Sequence, residues 1–297
     1  MMWRGVFPAI TTPFREDLSV DHEFLARHVD VLIRAGCRGL VPLGSLGESA
    51  TLDLEEKGAV LDTCRRALSG RGPLIAGIAA LSTAQAVATA TLARERGCDG
   101  LMILPPYVYR PDARETAAHF SALLSATPLP CMLYNNPVAY GTDVSPQELA
   151  TLAARHPNLE AVKESSEDVR RIAAIRALCG GRLAIFVGVD DLIVEGIAAG
   201  AVGWIAGLVN ALPEESVRLF DLAASGRTSE TRALYEWFLP LLRLDVVPKF
   251  VQLIKLVQQE AGLGSERVRP PRLPLEGEER EEALALIRER LGSRPRP

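Results

Sequence analysis

Eight short apolar runs, each bounded by glycine or proline, recur between residues 5 and 207 of this 297-residue chain. They are GVFPAIT (5–11), GLVPLG (39–44), PLIAGIA (73–79), GLMILP (100–105), CMLYNNP (131–137), LEAVKES (159–165), LAIFVGV (183–189) and AVGWIAG (201–207). They are apolar throughout rather than alternating, as strands buried on both faces are. Longer stretches lie between them, such as DHEFLARHVDVLIRAG (21–36) and STAQAVATATLARERG (82–97). In these, apolar residues return at i, i+3, i+4 and i+7, the mark of an amphipathic helix. One joint repeats as AGCRG (35–39), RGCDG (96–100) and AGAVG (199–203). Its first glycine suits the left-handed residue that ends a helix, and its second opens the next strand. Joints of this kind imply right-handed βαβ units and a parallel sheet.

Eight such units predict an α/β fold, a closed (β/α)8 TIM barrel. The competing fold is a doubly wound open sheet. It carries GxGxxG or GxxxxGK[ST] after a strand when it binds nucleotides. Here GSLGES and GVDDL follow strands, and neither matches. Beyond residue 213 the strands stop, and four helical stretches follow. The first closes the barrel and the others form an extension. The expected layout is a catalytic barrel at 1–225 and a C-terminal helical extension at 226–297.

A net charge of −4 argues against a nucleic-acid or membrane-surface role, which calls for a basic face. The five cysteines are scattered and include no CxxC, so neither a disulfide framework nor a zinc site is signalled. That usage suits a reducing compartment. The first residues lack the basic-then-apolar layout of a signal peptide, and no apolar run approaches ~18 residues. A cytoplasmic protein is expected. The four histidines (22, 28, 119, 156) fall in helical stretches or just after one. No metal and no cofactor are expected.

In a barrel the active site gathers at the C-terminal ends of the strands. One such end is Lys163, closing the run LEAVK, in a chain that contains four lysines among its 33 basic residues. Where charge alone is needed, this sequence writes arginine. Burial at the mouth of an apolar barrel disfavours an ammonium and leaves an amine able to attack a ketone. The plainer reading is a salt bridge to Glu164. Tyr134 could move protons, or serve as a core aromatic with a satisfied hydroxyl. Ser45 sits in a GxxG turn whose N–H groups could hold a carboxylate, or in an ordinary loop. Asp190 is read as capping the helix that follows it.

Together these residues resemble the dihydrodipicolinate synthase / N-acetylneuraminate lyase family of class I Schiff-base enzymes. The matching motifs are Gly44-Ser45-Leu46-Gly47-Glu48, Tyr134-Asn135-Asn136-Pro137 and Lys163-Glu164. The resemblance implies that Lys163 condenses with a 2-keto acid and that protons move through Tyr134, its phenol linked to the Ser45 hydroxyl. It also implies that the N–H groups of Ser45 and Leu46 bind the substrate carboxylate. Gly188 and Ile205, at the ends of the last two runs, join them as substrate-binding candidates. A homotetramer, a dimer of dimers, is implied as well.

Departures from the family pattern bear on the substrate. The synthase carries an arginine two residues after the Pro of its Y-N-x-P, to hold a second carboxylate. Val138 and Ala139 stand here, followed by Tyr140. The second hydroxyl of G-T-T-G-E is Leu46, and the second tyrosine of P-P-Y-Y, supplied by a partner subunit, is Val108. Tyr107 or Tyr109 could replace it. The stretches YNNPVAYGTDVSP, VKESSEDVRRI, GVDDL and VRPPRLPL are similar to the 1-pyrroline-4-hydroxy-2-carboxylate deaminase branch. That branch converts a cyclic imine to 2,5-dioxopentanoate and ammonia. The alternatives are a 2-keto-3-deoxy sugar acid dehydratase or aldolase, the synthase itself, or a non-catalytic protein that binds a keto acid.

Overall fold

Most of the apolar runs become strands of one sheet: β1 (Gly5–Pro8), β2 (Ile75–Ile78), β3 (Gly100–Ile103), β4 (Cys131–Asn135), β5 (Leu159–Glu164), β6 (Ala184–Val187) and β7 (Gly203–Ala206). The computed structural model describes residues 3–295, so the outermost two positions of the expected segments 1–225 and 226–297 lie outside it. Among the described residues the seven strands pair in parallel in the order β1-β7-β6-β5-β4-β3-β2.

The expected strand at 39–44 does not form a ladder. It makes single parallel bridges, Val41 to Ala9 and Leu40 to Leu74. Prolines explain this, since Pro8, Pro42 and Pro73 have no N–H to give to a ladder. The segment still joins both edges of the sheet. Val41 N–H donates to Pro8 O at 2.9 Å, Leu40 N–H to Pro73 O at 3.0 Å, and Gly77 N–H to Pro42 O at 2.8 Å. The sheet therefore closes into the α/β TIM barrel, with its eighth stave held by bridges.

The helices follow their signals. Asp21 caps His22–Arg34 by accepting from Phe24 N–H, and Ser82 caps Thr83–Glu95. The repeated joint works as read, with Gly36, Gly97 and Gly200 all at positive φ. After the barrel come Pro213–Ala224, Thr228–Leu242, Phe250–Glu260 and Gly277–Gly292. None of the described helices is long and apolar enough to cross a membrane.

Two features of this C-terminal part shape the barrel mouth. The single turn Arg243–Asp245 lies between two of the helices and brings Asp245 to the strand ends. The helix Phe250–Glu260 is buried along most of its length. Its Lys255 ammonium donates to Thr12 O (2.8 Å), Arg267 O (2.7 Å) and Glu48 Oε1 (2.5 Å). Three acceptors around one point charge suit an ammonium better than a planar guanidinium. Glu48, in the GSLGE turn, is thereby structural, and Arg269 N–H donates to its other oxygen at 3.0 Å.

Candidate active site

In the register of β4 and β5, Tyr134 lies opposite Lys163 and Asn135 opposite Glu164. Side chains alternate along a strand, so the two pairs take opposite faces. Tyr134 and Lys163 line a cavity of about 460 Å³ at the C-terminal ends of the strands. Glu164 turns the other way, accepting from Asn135 Nδ2 at 3.3 Å and from Ser166 N–H at 2.8 Å. The salt bridge between Lys163 and Glu164 is absent. Instead the Lys163 Nζ sits 4.1 Å from the centroid of the Tyr134 ring.

Lys163 is 6% exposed. Burial lowers its pKa from the ordinary 10.5 to about 8, against the opposing pull of the Asp245 and Asp190 charges. An amine held this way is a competent nucleophile toward a carbonyl near neutral pH. Gly188 gives it room. A Cβ there would stand 2.0 Å from Ser165 Oγ and 2.5 Å from Lys163 Cε, so no side chain fits.

Ser45 does not bond to Tyr134. Its hydroxyl bonds to the phenol of Tyr140, whose ring stands edge-on to Tyr134 with centroids 5.8 Å apart. Tyr140 ends a one-turn helix, Pro137–Tyr140, which begins at the last residue of the apolar run 131–137. The local signals for this turn are plain. Asn136 caps by accepting from Ala139 N–H, Pro137 takes the first helical position, and Gly141 stops the turn at φ 70. Asn136 Nδ2 also donates to the Tyr134 phenol at 3.0 Å. Burial pushes the Tyr134 phenol up to about 12, the Asn136 bond opposing, and pushes Tyr140 up as well. Tyr107 packs 5.9 Å from Tyr140, while Tyr109 and Val108 are exposed. Within this chain, the hydroxyl next to Ser45 is that of Tyr140.

Leu46 is buried in the cavity wall, as is Ile205 on β7. The N–H groups of Ser45 and Leu46 take no acceptor among the described residues. Asp190 does not cap its own helix. Its carboxylate accepts from Trp204 Nε1 (2.9 Å), Gly207 N–H (3.1 Å) and Leu208 N–H (2.7 Å), tying the end of β6 to the end of β7. No group of three or more His, Cys, Asp or Glu placed to hold a metal occurs among the described residues.

The sequence model of the dihydrodipicolinate synthetase family matches residues 2–290. The chain belongs to that family. Among curated relatives, the 4-hydroxy-tetrahydrodipicolinate synthase of Pelobacter propionicus is 33% identical over 92% of this chain and 94% of its own. The namesake enzyme of Geotalea daltonii is 31% identical over 97% and 99%. The solved 4-hydroxy-tetrahydrodipicolinate synthase of Methylacidiphilum fumariolicum superposes with a TM-score of 0.92 at 29% identity, covering 98% of this chain and 97% of that one. A solved monomeric dihydrodipicolinate synthase variant superposes with a TM-score of 0.91 at 26% identity, covering 98% and 96%. As a member of the dihydrodipicolinate synthetase family, the chain is an enzyme, a class I Schiff-base lyase.

One further group in this family member's cavity carries no local sequence signal. Asp245, half-buried, reaches the end of β7 from the C-terminal turn. Its Oδ1 would lie 2.1 Å from a Cβ built on Gly207, so the bare glycine admits the carboxyl. Burial raises its pKa well above the usual carboxylate range, and the Asp190 charge raises it further. Arg272, also half-buried, lines the same cavity.

Proposed function

We propose that Lys163 attacks C2 of a 2-keto acid or its cyclic imine, and that the reaction completed here is deamination of 1-pyrroline-4-hydroxy-2-carboxylate. The observation that carries the Schiff-base step is the buried Lys163 amine, held over Tyr134 with its pKa drawn down toward neutrality. The free N–H groups of Ser45 and Leu46 suit the substrate carboxylate. Attack on the cyclic imine opens the ring and frees an amine on C5. The protonated Schiff base acidifies C3–H, and Tyr134 takes that proton as its own phenolic proton passes on toward Tyr140 and Ser45. The enamine expels the C4 hydroxyl, tautomerisation gives a C5 imine, and water releases ammonia. A second hydrolysis frees Lys163. Val138 and Ala139 on the cavity wall support a substrate with a single carboxylate. A tetramer belongs to this reading, although the Tyr134, Tyr140 and Ser45 hydroxyls all come from one chain.

A second reading is the synthase, condensing pyruvate with aspartate semialdehyde. The names of the curated relatives favour it. Arg272 offers a guanidinium in the cavity for a second carboxylate. A coupled reductase assay for the synthase product, run beside an ammonia assay on the hydroxy-pyrroline acid, separates the two. Ammonia release with condensation lower by roughly 10²-fold or more is expected. Robust condensation without ammonia would assign the synthase reaction instead.

A further inference from the structure

Resting on the deaminase reading, we propose that Asp245 is the general acid that protonates the departing C4 hydroxyl. Hydroxide is a poor leaving group, so the elimination needs a proton donor at that oxygen. Tyr134 is engaged at C3, and its buried phenol is a far weaker acid than a carboxyl. Glu167 is the other carboxyl lining the cavity, and it is exposed to solvent. Asp245 reaches the strand ends from the turn Arg243–Asp245, against the bare Cα of Gly207. Ser165, next but one to Lys163, is buried and lines the same cavity beside the Tyr134 phenol.

The step balances within the substrate and these two residues. The enamine nitrogen on Lys163 pushes its lone pair to form C2=N, the C2=C3 pair moves to C3=C4, and the C4–O bond breaks with its pair on oxygen. The Asp245 proton goes to that oxygen and water leaves. Asp245 becomes an anion as the Lys163 nitrogen becomes a cation, so each new charge offsets the other. The charged and titratable groups facing Asp245 are Lys163 on β5, Asp190 and Asp191 after β6, and Tyr134 on β4. Burial and the neighbouring aspartates keep the carboxyl protonated to higher pH than usual, and Lys163 opposes them.

The test uses the full-length wild type and Asp245→Asn. Three readouts are compared: borohydride trapping with pyruvate, exchange of the pyruvate methyl protons with solvent deuterium, and ammonia release from the hydroxy-pyrroline acid. The variant should still form the imine and exchange protons, while its ammonia release falls by roughly 10²-fold or more. In the wild type, ammonia release should decline at high pH as Asp245 ionises, whereas methyl exchange should not. This pH comparison needs no variant, and Asp245→Glu should recover part of the ammonia release. Ammonia release from Asp245→Asn within about threefold of wild type would overturn the acid role and leave the deaminase reading standing. Equal loss of all three readouts would also overturn it, reducing Asp245 to a residue that positions Lys163. A wild type that releases no ammonia would sink both the deaminase reading and this proposal.

Discussion

Ser45 is hydrogen-bonded to Tyr140, a residue on the same chain that stands edge-on to Tyr134. The hydroxyls of Tyr134, Tyr140 and Ser45 thereby form a row along the cavity wall. A row of hydroxyls can pass a proton between solvent and substrate when each member keeps its place.

Removing the middle member tests the row. Tyr140→Phe should lower kcat by roughly 10- to 10²-fold while leaving borohydride trapping at Lys163 intact. Ser45→Ala added to Tyr140→Phe should cost little more, because groups acting in one relay are not additive. Additive losses in this double-mutant comparison would mean that the two hydroxyls act separately.

Borohydride reduction in the presence of pyruvate should add one fixed mass to the peptide containing Lys163. Lys163→Arg should abolish labelling, because a guanidinium stays protonated and does not form the imine. Lys249 is paired with Glu279, and Lys255 with Glu48. Labelling at either of these, or at Lys57, would refute the assignment.

The pH dependence has a definite sign. The folded pKa of Lys163 lies below its ordinary value, so the reactive neutral amine accumulates as pH rises through about 8. Below that, the ammonium dominates and attack slows. The rate of imine trapping should therefore climb with pH and level off above about 9, since nine-tenths of a group is neutral one unit past its pKa. A rate already level at about pH 6 would contradict a proton-gated Lys163.

Gly188→Ala should be disabling out of proportion to its size. The added methyl would meet both Ser165 Oγ and Lys163 Cε. Overpacking of this kind costs about 1–3 kcal/mol of stability. The displaced amine should lose roughly 10²-fold in kcat, since a shift of about 1 Å is enough to spoil attack geometry. A thermal melt beside the kinetics distinguishes the two effects, and near-normal kcat would show that the site relaxes around the methyl.

Lys255 and Glu48 form a buried ion pair. Lys255→Met strands the Glu48 carboxylate and should destabilise the fold by about 3–5 kcal/mol, read by chemical denaturation. Adding Glu48→Gln should recover a good part of the loss, since an amide oxygen can still accept from Arg269 N–H. A single variant as stable as wild type would mean that water has replaced the ammonium.

The barrel could be read from the chain because its evidence is local and repeated. A strand buried on both faces must be apolar throughout, and a helix that ends beside a strand calls for a residue free to adopt positive φ. The first mark recurs along the barrel and the second at several of its joints, as at Gly36, Gly97 and Gly200. The prolines at 8, 42 and 73 were equally visible, but what they do depends on which segments become neighbours, so the loss of one ladder could not be seen. Lys163 and Tyr134 stood out at strand ends, and alternation along β4 and β5 places them on one face. Tyr140 had its cap, proline and glycine in plain sight, but its partner Ser45 lies 95 residues away in the chain. Asp190 read as a helix cap because capping is a local rule, yet its partners are on β7. Asp245 had no mark at all. It lies between two helices of the C-terminal part, and only the packing of that part over the barrel mouth brings its carboxyl to the end of β7. Residue type and spacing decide the staves and the lysine. Which distant side chains meet that lysine in the cavity is decided by tertiary packing, because the burial and neighbouring charges that tune a titratable group come from segments far apart in sequence.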